Sequence, residues 1–217
     1  MSIQRQQVTV SSGEIKLEAV CGFNTQAGKM PGGVICHPHP LMGGSMDNNV
    51  VHALFGEFAR RGFVALAFNL RGTGRSEGSY EGGEGEVEDV EAALDWLGSQ
   101  SRVRGDCLGV LGYSFGAWVG LQAAIRRQPE VRCAGAVAPP VALFAFDFLS
   151  CFNGSFFFVS GDQDSYCPAE KKSVLLSGPA GKRECRVVAG TDHFFWDRES
   201  EAAGYLCDRF EACLKTP

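Results

Sequence analysis

The 217-residue chain lacks a long apolar run, an apolar segment at its start and a surplus of positive charge. Its longest apolar stretch, residues 141–148, is interrupted by Asp147 and falls short of the roughly 18 residues that a membrane-spanning helix needs. Residues 1–7 hold no apolar segment, so we expect neither a secretory signal nor a membrane partner. The net charge of −5 argues against nucleic acid as a partner, because phosphate binding requires a basic surface.

Cysteine is plentiful, but it shows no pairing pattern. There are nine cysteines, an odd number that cannot all pair within the chain, and none of them lies in a C-x-x-C motif. This usage is typical of reduced, mostly buried thiols and predicts a cytoplasmic protein. Cys167 stands apart because it follows a candidate catalytic loop. The length and the content of 45% hydrophobic and 21% charged residues predict one globular domain over residues 1–217.

Strand-like apolar runs alternate with helical patterns along the whole chain. A hairpin is predicted from residues 7–10 and 15–20. Further strands are predicted at residues 33–36, 63–70, 107–112, 132–138, 155–159 and 184–188, and helices at 49–61, 86–97, 115–126, 168–176 and 197–214. Unbroken apolar strands that alternate with helices favour an α/β fold, with a doubly wound, mostly parallel sheet and helices on both faces. The phenylalanine-rich segment 139–153 is expected to form a pocket wall, either as a small lid or as a docked helix.

The strongest chemical signal is the motif Gly112-Tyr113-Ser114-Phe115-Gly116, which joins an apolar strand to an apolar helix. This context is typical of a G-x-S-x-G nucleophile elbow. The turn is so tight that the positions two before and two after the serine must be small. We therefore predict Ser114 as the nucleophile and the Phe115 N–H as one oxyanion donor. The alternative is a glycine-lined turn that only lets a helix pack closely on the sheet.

A serine hydroxyl is a poor nucleophile at neutral pH and needs a base. Of the four histidines, only His193 lies downstream of the elbow, in a loop before the last helix. Where a nucleophile sits on such an elbow, an acid follows it along the chain and precedes the histidine. We favour Asp164, because a residue three beyond Gly161 can turn over the strand edge toward the histidine. Asp162 is the alternative, although we expect its carboxylate to serve the turn itself.

The loop over residues 37–49 follows a predicted strand, where a second oxyanion donor is expected. Pro38 and Pro40 have no N–H to donate. We choose the N–H of Leu41, with His39 and Met42 as alternatives.

Two other patterns resemble ligand sites. His37 and His39 could bind a metal only with further ligands, since Zn²⁺ normally takes three or four, so we predict no metal and expect His37 to shape the loop. The glycine-rich segment 71–76 departs from phosphate-binding motifs in the spacing of its glycines, and acidic residues follow it. We expect it to be structural, with Arg71 paired to an acid.

Taken together, these motifs resemble those of the α/β-hydrolase superfamily, and the chain is similar to its small dienelactone-hydrolase-like members. The resemblance rests on an H-P-H-P-x-x-G-G-S-M-x-N loop at residues 37–48, an R-G-x-G-x-S loop at residues 71–76 and the serine elbow. It covers almost the whole chain and implies the α/β-hydrolase fold with little or no lid. Dienelactone hydrolases proper carry a cysteine nucleophile where this chain has Ser114, which leaves their specific reaction open.

The resemblance implies a serine hydrolase that cleaves a small carboxylic ester or related acyl substrate through an acyl-enzyme, without any cofactor. Aromatic residues near the predicted site suggest an apolar acyl or aryl pocket: Phe115, Phe144, Phe146, Phe194, Phe195 and Trp196. Alternatives are an acyltransferase or small peptidase with the same triad, or a binding module that retains the fold. The expected partner is a small acyl substrate, and a second copy of the chain, as a homodimer, is the other partner we allow for.

Overall fold

The computed structural model describes residues 3–25, 28–178 and 181–215. Its strands are β1 (Ile3–Ser12), β2 (Ile15–Asn24), β3 (Met30–Cys36), β4 (Val64–Phe68), β5 (Val103–Tyr113), β6 (Val131–Val137), β7 (Ser155–Gly161) and β8 (Arg183–Val188). Its α-helices are α1 (Asn49–Arg60), α2 (Glu84–Gly98), α3 (Phe115–Arg126) and α4 (Glu199–Leu214). Short 3-10 helices cover Pro40–Met42, Asp147–Cys151 and Ala169–Leu176.

The eight strands form one twisted sheet in the order β1-β2-β4-β3-β5-β6-β7-β8. The pairs β1–β2 and β2–β4 are antiparallel, and every other neighbouring pair is parallel. The order reverses between β3 and β5, because the chain builds outward on one side of β3 before it crosses to the other. Ligands of open α/β sheets bind at such a switch point, beyond the carboxyl ends of the strands.

Helices cover both faces of the sheet and create two apolar cores. On one face, α1 and α4 pack against each other, and their core contains Phe58 and Phe210. On the other face, α2 packs against α3, and their core contains Leu94 and Phe115. The predicted doubly wound, mostly parallel sheet is confirmed.

Local sequence explains where the helices that flank the site begin and end. The Asn48 side chain caps α1 by accepting the Val50 N–H at 3.0 Å, and Gly62 ends the helix at a φ of 83°. The Glu86 carboxylate accepts the Gly83 N–H at 2.6 Å, which satisfies a donor at the start of α2. Both caps lie at the edge of the sheet where its parallel strands end.

Most predicted elements agree with the structure to within a few residues. The largest difference is residues 169–176, which form a 3-10 helix instead of the predicted α-helix. Only Leu175 is buried there, so the segment has no apolar stripe of the kind that stabilises an α-helix against a sheet. No helix within the described residues is long and apolar enough to cross a membrane.

Candidate active site

Ser114 lies in a sharp turn between β5 and α3. Its backbone has a φ of 53° and a ψ of −120°, a conformation that a residue with a side chain adopts only under strain. A Cβ added at Gly112 would lie 2.2 Å from the carbonyl oxygen of Gly116, and one at Gly116 would lie 2.4 Å from that of His37. The two glycines are therefore a steric requirement of the turn, as the motif predicted.

The Ser114 and His193 side chains are hydrogen-bonded. Ser114 Oγ lies 2.9 Å from His193 Nε2, and His193 Nδ1 lies 3.0 Å from both carboxylate oxygens of Asp164. Because Nδ1 faces a carboxylate, that nitrogen carries the proton, and Nε2 is left to accept the serine O–H. The three predicted residues thus form one continuous hydrogen-bonded row.

Asp164 and Asp162 have different tasks, although they are two residues apart after β7. The buried Asp164 carboxylate also accepts the backbone N–H groups of Tyr166 and Cys167, at 2.9 and 3.2 Å. The Asp162 carboxylate accepts the Thr191 N–H at 3.2 Å and so holds the loop that carries His193. The structure places Asp164 on the histidine and Asp162 in the turn, as the sequence favoured.

Cys167 is not available as a nucleophile beside this row. Its thiol is buried, and burial, with a smaller contribution from Asp164, raises the pKa of Cys167 to about 12. The thiol is therefore protonated at neutral pH, and a protonated thiol is a weak nucleophile. The role of Cys167 after Asp164 is therefore to pack in the core.

His37 is a buried structural residue at the end of β3. Its Nε2 accepts the Leu70 N–H at 3.0 Å, and its Nδ1 lies 2.6 Å from the Pro38 carbonyl oxygen. Burial lowers the pKa of His37 to about 4, so the ring is neutral. Both nitrogens bind backbone groups, which ties the loop over residues 37–49 (the first loop) to the chain that follows β4.

The N–H of Leu41, predicted as the second oxyanion donor, is engaged in a hydrogen bond within its own loop. The Leu41 N–H donates to His39 Nδ1 at 3.2 Å, and the N–H groups of Met42 and Gly44 donate to the His39 carbonyl oxygen at 3.0 Å. Within the described residues, the His39 N–H itself makes no hydrogen bond. His39 lines the cleft beside Phe115, whereas Leu41 does not. The geometry therefore favours His39, one of the two alternatives to Leu41.

Two tyrosines that the sequence did not mark support the histidine and the first loop. The edge of the Tyr166 ring lies against the His193 ring, with centroids 4.7 Å apart. Tyr80 lies 3.3 Å from His39 Nε2 through its hydroxyl, and its ring centroid is 5.9 Å from that of Phe115. Only spacing from the catalytic motifs could have suggested Tyr166, and nothing in the sequence pattern links Tyr80 to the first loop.

A cleft opens over Ser114, with a volume of about 160 Å³. Its lining includes Phe115, Phe144 and Phe194 from the predicted aromatic set, together with Met42 and Leu143. The other predicted aromatics lie elsewhere: Phe146 and Phe195 are buried in the two cores, and Trp196 is exposed. The segment 139–153 does supply a pocket wall, through Leu143 and Phe144.

The glycine-rich loop after β4 is structural, as predicted. Arg71 is buried and pairs with the buried Asp89 at 2.8 Å and with Glu81 at 2.8 Å. Its guanidinium is thereby compensated by carboxylates and is not free to hold a phosphate. The pairing fixes the loop that carries Tyr80 to α2.

The parallel sheet and the Ser114-His193-Asp164 row define an α/β hydrolase. Residues 10–170 match the family model described as X-Pro dipeptidyl-peptidase (S15 family), and the chain belongs to that family. It is also 36% identical over 186 residues to an uncharacterized protein of Rickettsia prowazekii, a match that covers 82% of this chain and 77% of that protein.

Solved structures agree with the assignment to the α/β hydrolases. A structure described as an α/β serine hydrolase homologue from Coxiella burnetii is 33% identical, with a TM-score of 0.82 and coverage of 94% of this chain and 96% of that one. A second, from Xanthomonas campestris and described as an α/β serine hydrolase without a lid, is 25% identical, with a TM-score of 0.82 and coverage of 99% and 97%. Membership of the α/β-hydrolase superfamily is confirmed, while the narrower likeness to dienelactone hydrolases stays a prediction.

Proposed function

We propose that this chain cleaves a small carboxylic ester through an acyl-enzyme formed on Ser114. The observation that carries the proposal is the hydrogen-bonded row from Ser114 through His193 to Asp164, with separations of 2.9 and 3.0 Å. These are the distances at which a base can take the proton of a nucleophile while a carboxylate orients the base.

The reaction begins when His193 Nε2 takes the Ser114 proton and Oγ attacks the ester carbonyl carbon. Asp164 holds the imidazole in the reactive tautomer and stabilises its charged form. The negative charge that develops on the carbonyl oxygen is held by the N–H groups of Phe115, at the start of α3, and of His39. His193 then gives its proton to the departing alcohol, and a water activated by the same nitrogen releases the acid.

A peptidase is the second candidate, because the family model that matches the chain is described as X-Pro dipeptidyl-peptidase. A dipeptidyl-peptidase must hold the positively charged amino terminus of its substrate, and a carboxylate is the natural partner for that charge. Among the described residues, no aspartate or glutamate lines the cleft over Ser114. The apolar lining therefore favours a neutral ester.

The cytoplasm is the location we assign to this hydrolase. All nine cysteines are described, none is in a disulfide, and most are buried. Thiols used in this way are typical of a reducing compartment.

Labelling with a fluorophosphonate tests the nucleophile directly. The wild-type chain should form one adduct, which peptide mapping places on Ser114, and Ser114→Ala should form none while it keeps the wild-type melting temperature. Unlabelled wild-type enzyme is then assayed with short p-nitrophenyl esters and with X-Pro p-nitroanilides, with labelled enzyme as the inactivated control. Hydrolysis of the esters alone supports the proposal, and hydrolysis of the anilides at a higher kcat/KM favours the peptidase. A folded wild-type chain that forms no adduct on Ser114 contradicts both.

A further inference from the structure

Large apolar side chains are exposed around the mouth of the cleft. Seven are exposed among the described residues: Leu41, Met42, Leu143, Leu176, Val187, Phe194 and Trp196. Five of these belong to the three loops that surround Ser114, and Met42, Leu143 and Phe194 line the cleft itself. Scattered exposed apolar residues need no explanation, but a cluster at the mouth of a site indicates an apolar ligand.

The cleft is too small to enclose such a ligand. Its volume of about 160 Å³ is below the roughly 300–1,000 Å³ of pockets that bury a whole small molecule. A substrate with more than a few carbon atoms must therefore extend beyond the cleft, where the exposed apolar side chains would cover it.

The two walls of the cleft are built by different segments of the chain. Phe144 packs on Phe115 and stacks on Trp118, with centroids 5.8 and 4.6 Å apart. Phe115 belongs to the core under α2 and α3, and Phe144 and Trp118 pack against that core. Phe194 instead follows His193 and precedes Phe195, which belongs to the core under α1 and α4. The cleft thus has one wall beside an oxyanion donor and another beside the base.

The chemistry assigns a different part of the ester to each wall. His193 must return its proton to the alcohol oxygen, so the alcohol has to depart on the side of the cleft that carries His193 and Phe194. The carbonyl oxygen is held by the N–H groups of Phe115 and His39. The acyl chain must then extend along the opposite side of the cleft, which carries Leu143 and Phe144.

We propose that the substrate is a lipophilic ester whose acyl chain lies along Leu143 and Phe144 and whose alcohol group lies along Phe194. This inference rests on the proposed hydrolase function and adds the substrate class and two separate binding surfaces. The exposed carboxylates of Asp192 and Asp197 flank the loop that carries Phe194 and Trp196. Together with the chain's net charge of −5, these carboxylates would repel an anionic membrane surface, which favours an ester dissolved in water as the substrate.

Two series of substrates separate the walls. The first consists of p-nitrophenyl esters from acetate to octanoate, which change only the acyl chain. The second consists of acetate esters from ethyl to octyl alcohol, which change only the leaving group. All are used below the concentrations at which they aggregate. Wild-type kcat/KM should rise in both series, by up to about fourfold for each methylene that becomes covered.

Three variants of exposed side chains then assign each series to a wall. Leu143→Ser should lower the ratio of kcat/KM for octanoate over acetate by about tenfold, and should change the ratio for octyl over ethyl acetate less than twofold. Phe194→Ser should have the opposite pattern. Leu176→Ser is the matched control, because Leu176 is exposed on the 3-10 helix Ala169–Leu176 and does not line the cleft. It should leave both ratios at the wild-type value.

The outcomes distinguish this inference from the proposed function. A Ser114 adduct and ester hydrolysis, with both ratios changed equally by Leu143→Ser and Phe194→Ser, would overturn the separate surfaces and leave the hydrolase intact. Turnover that appears only above the aggregation concentration would replace a dissolved ester with a lipid surface. A chain without any adduct on Ser114 would overturn the hydrolase and the two surfaces together.

Discussion

The phenol hydroxyl of Tyr113 donates a hydrogen bond of 2.9 Å to the backbone carbonyl of His193. The residue that precedes the nucleophile therefore holds the loop that carries the base. Burial raises the pKa of Tyr113 above its usual range, so the hydroxyl keeps the proton that it donates. Strand β5 thus fixes both ends of the proton transfer, Ser114 through the backbone and His193 through this bond.

Loss of this bond should slow the reaction more than it weakens binding. Tyr113→Phe keeps the ring but leaves the His193 carbonyl, which is buried, without its donor, at a cost of about 1–3 kcal/mol of unfolding free energy. We expect kcat to fall by roughly tenfold at an unchanged KM, because only the alignment of His193 is affected. Steady-state kinetics and urea denaturation measure the two effects. Tyr166→Phe, which keeps its ring on His193, should retain most of kcat, and an equal loss in both variants would argue against the role of the Tyr113 hydroxyl.

The two aspartates after β7 should respond differently to the same substitution. Asp164→Asn removes the charge that stabilises the imidazolium and disturbs the tautomer of His193, so we expect kcat to fall by about 10⁴. Asp162→Asn keeps a side-chain oxygen that can accept the Thr191 N–H, so its kcat should stay within about threefold of the wild type. Ester hydrolysis and fluorophosphonate labelling rates check both variants. A large loss in Asp162→Asn with an active Asp164→Asn would transfer the acid role to Asp162.

The elbow glycines should tolerate no side chain. Gly116→Ala would place its Cβ 2.4 Å from the carbonyl oxygens of Cys36 and His37, and these are backbone atoms that cannot turn aside. We expect the free energy of unfolding to fall by about 3 kcal/mol or more and the labelling of Ser114 to be lost. Gly204→Ala in α4 is the matched control, because its Cβ would meet no atom within 4 Å. It should stabilise the helix by about 0.5–1 kcal/mol, and similar melting temperatures for the two variants would contradict this account of the turn.

His37 should make the stability of the fold depend on pH. Burial lowers its pKa from 6.5 to about 4, so between these values the unfolded chain binds a proton that the folded chain excludes. The free energy of unfolding should therefore rise with pH across this window, by up to about 1.4 kcal/mol per pH unit, and level off above pH about 6.5. Urea denaturation at several pH values measures the slope. His37→Gln removes the titrating group and should flatten it, whereas an unchanged slope would assign the effect to other residues.

Much of the fold and of the hydrogen-bonded row could be predicted because local sequence constrains both. Unbroken apolar strands require burial on both faces, and the tight turn at Ser114 requires Gly112 and Gly116 whatever else surrounds it. The order of the strands and the strand-turn-helix context then place His193 and Asp164 at the same edge of the sheet. These features depend on the backbone and on one or two positions each.

The parts that could not be predicted depend on contacts between distant segments. The bond from Tyr113 to His193 spans 80 residues, and the contact of Tyr80 with His39 spans 41. Neither tyrosine lies in a sequence pattern that distinguishes it from a tyrosine that only packs in a core. The geometry favours His39 over Leu41 as the oxyanion donor, and no sequence pattern could show that the His39 ring accepts the Leu41 N–H while the His39 N–H has no partner among the described residues.

The assignment of that donor to His39 can be tested because proline fits its backbone. His39 has a φ of −53°, which a proline ring permits, and it already precedes a proline. His39→Ala removes the ring and keeps the N–H, while His39→Pro removes both, so the comparison isolates the N–H. We expect kcat of His39→Pro to be about 10²–10³ below that of His39→Ala at similar KM, because the loss of an oxyanion donor affects only the transition state. Ester kinetics and melting curves on both variants provide the measurement. Equal kcat values in two folded variants would return the role to Leu41 or Met42.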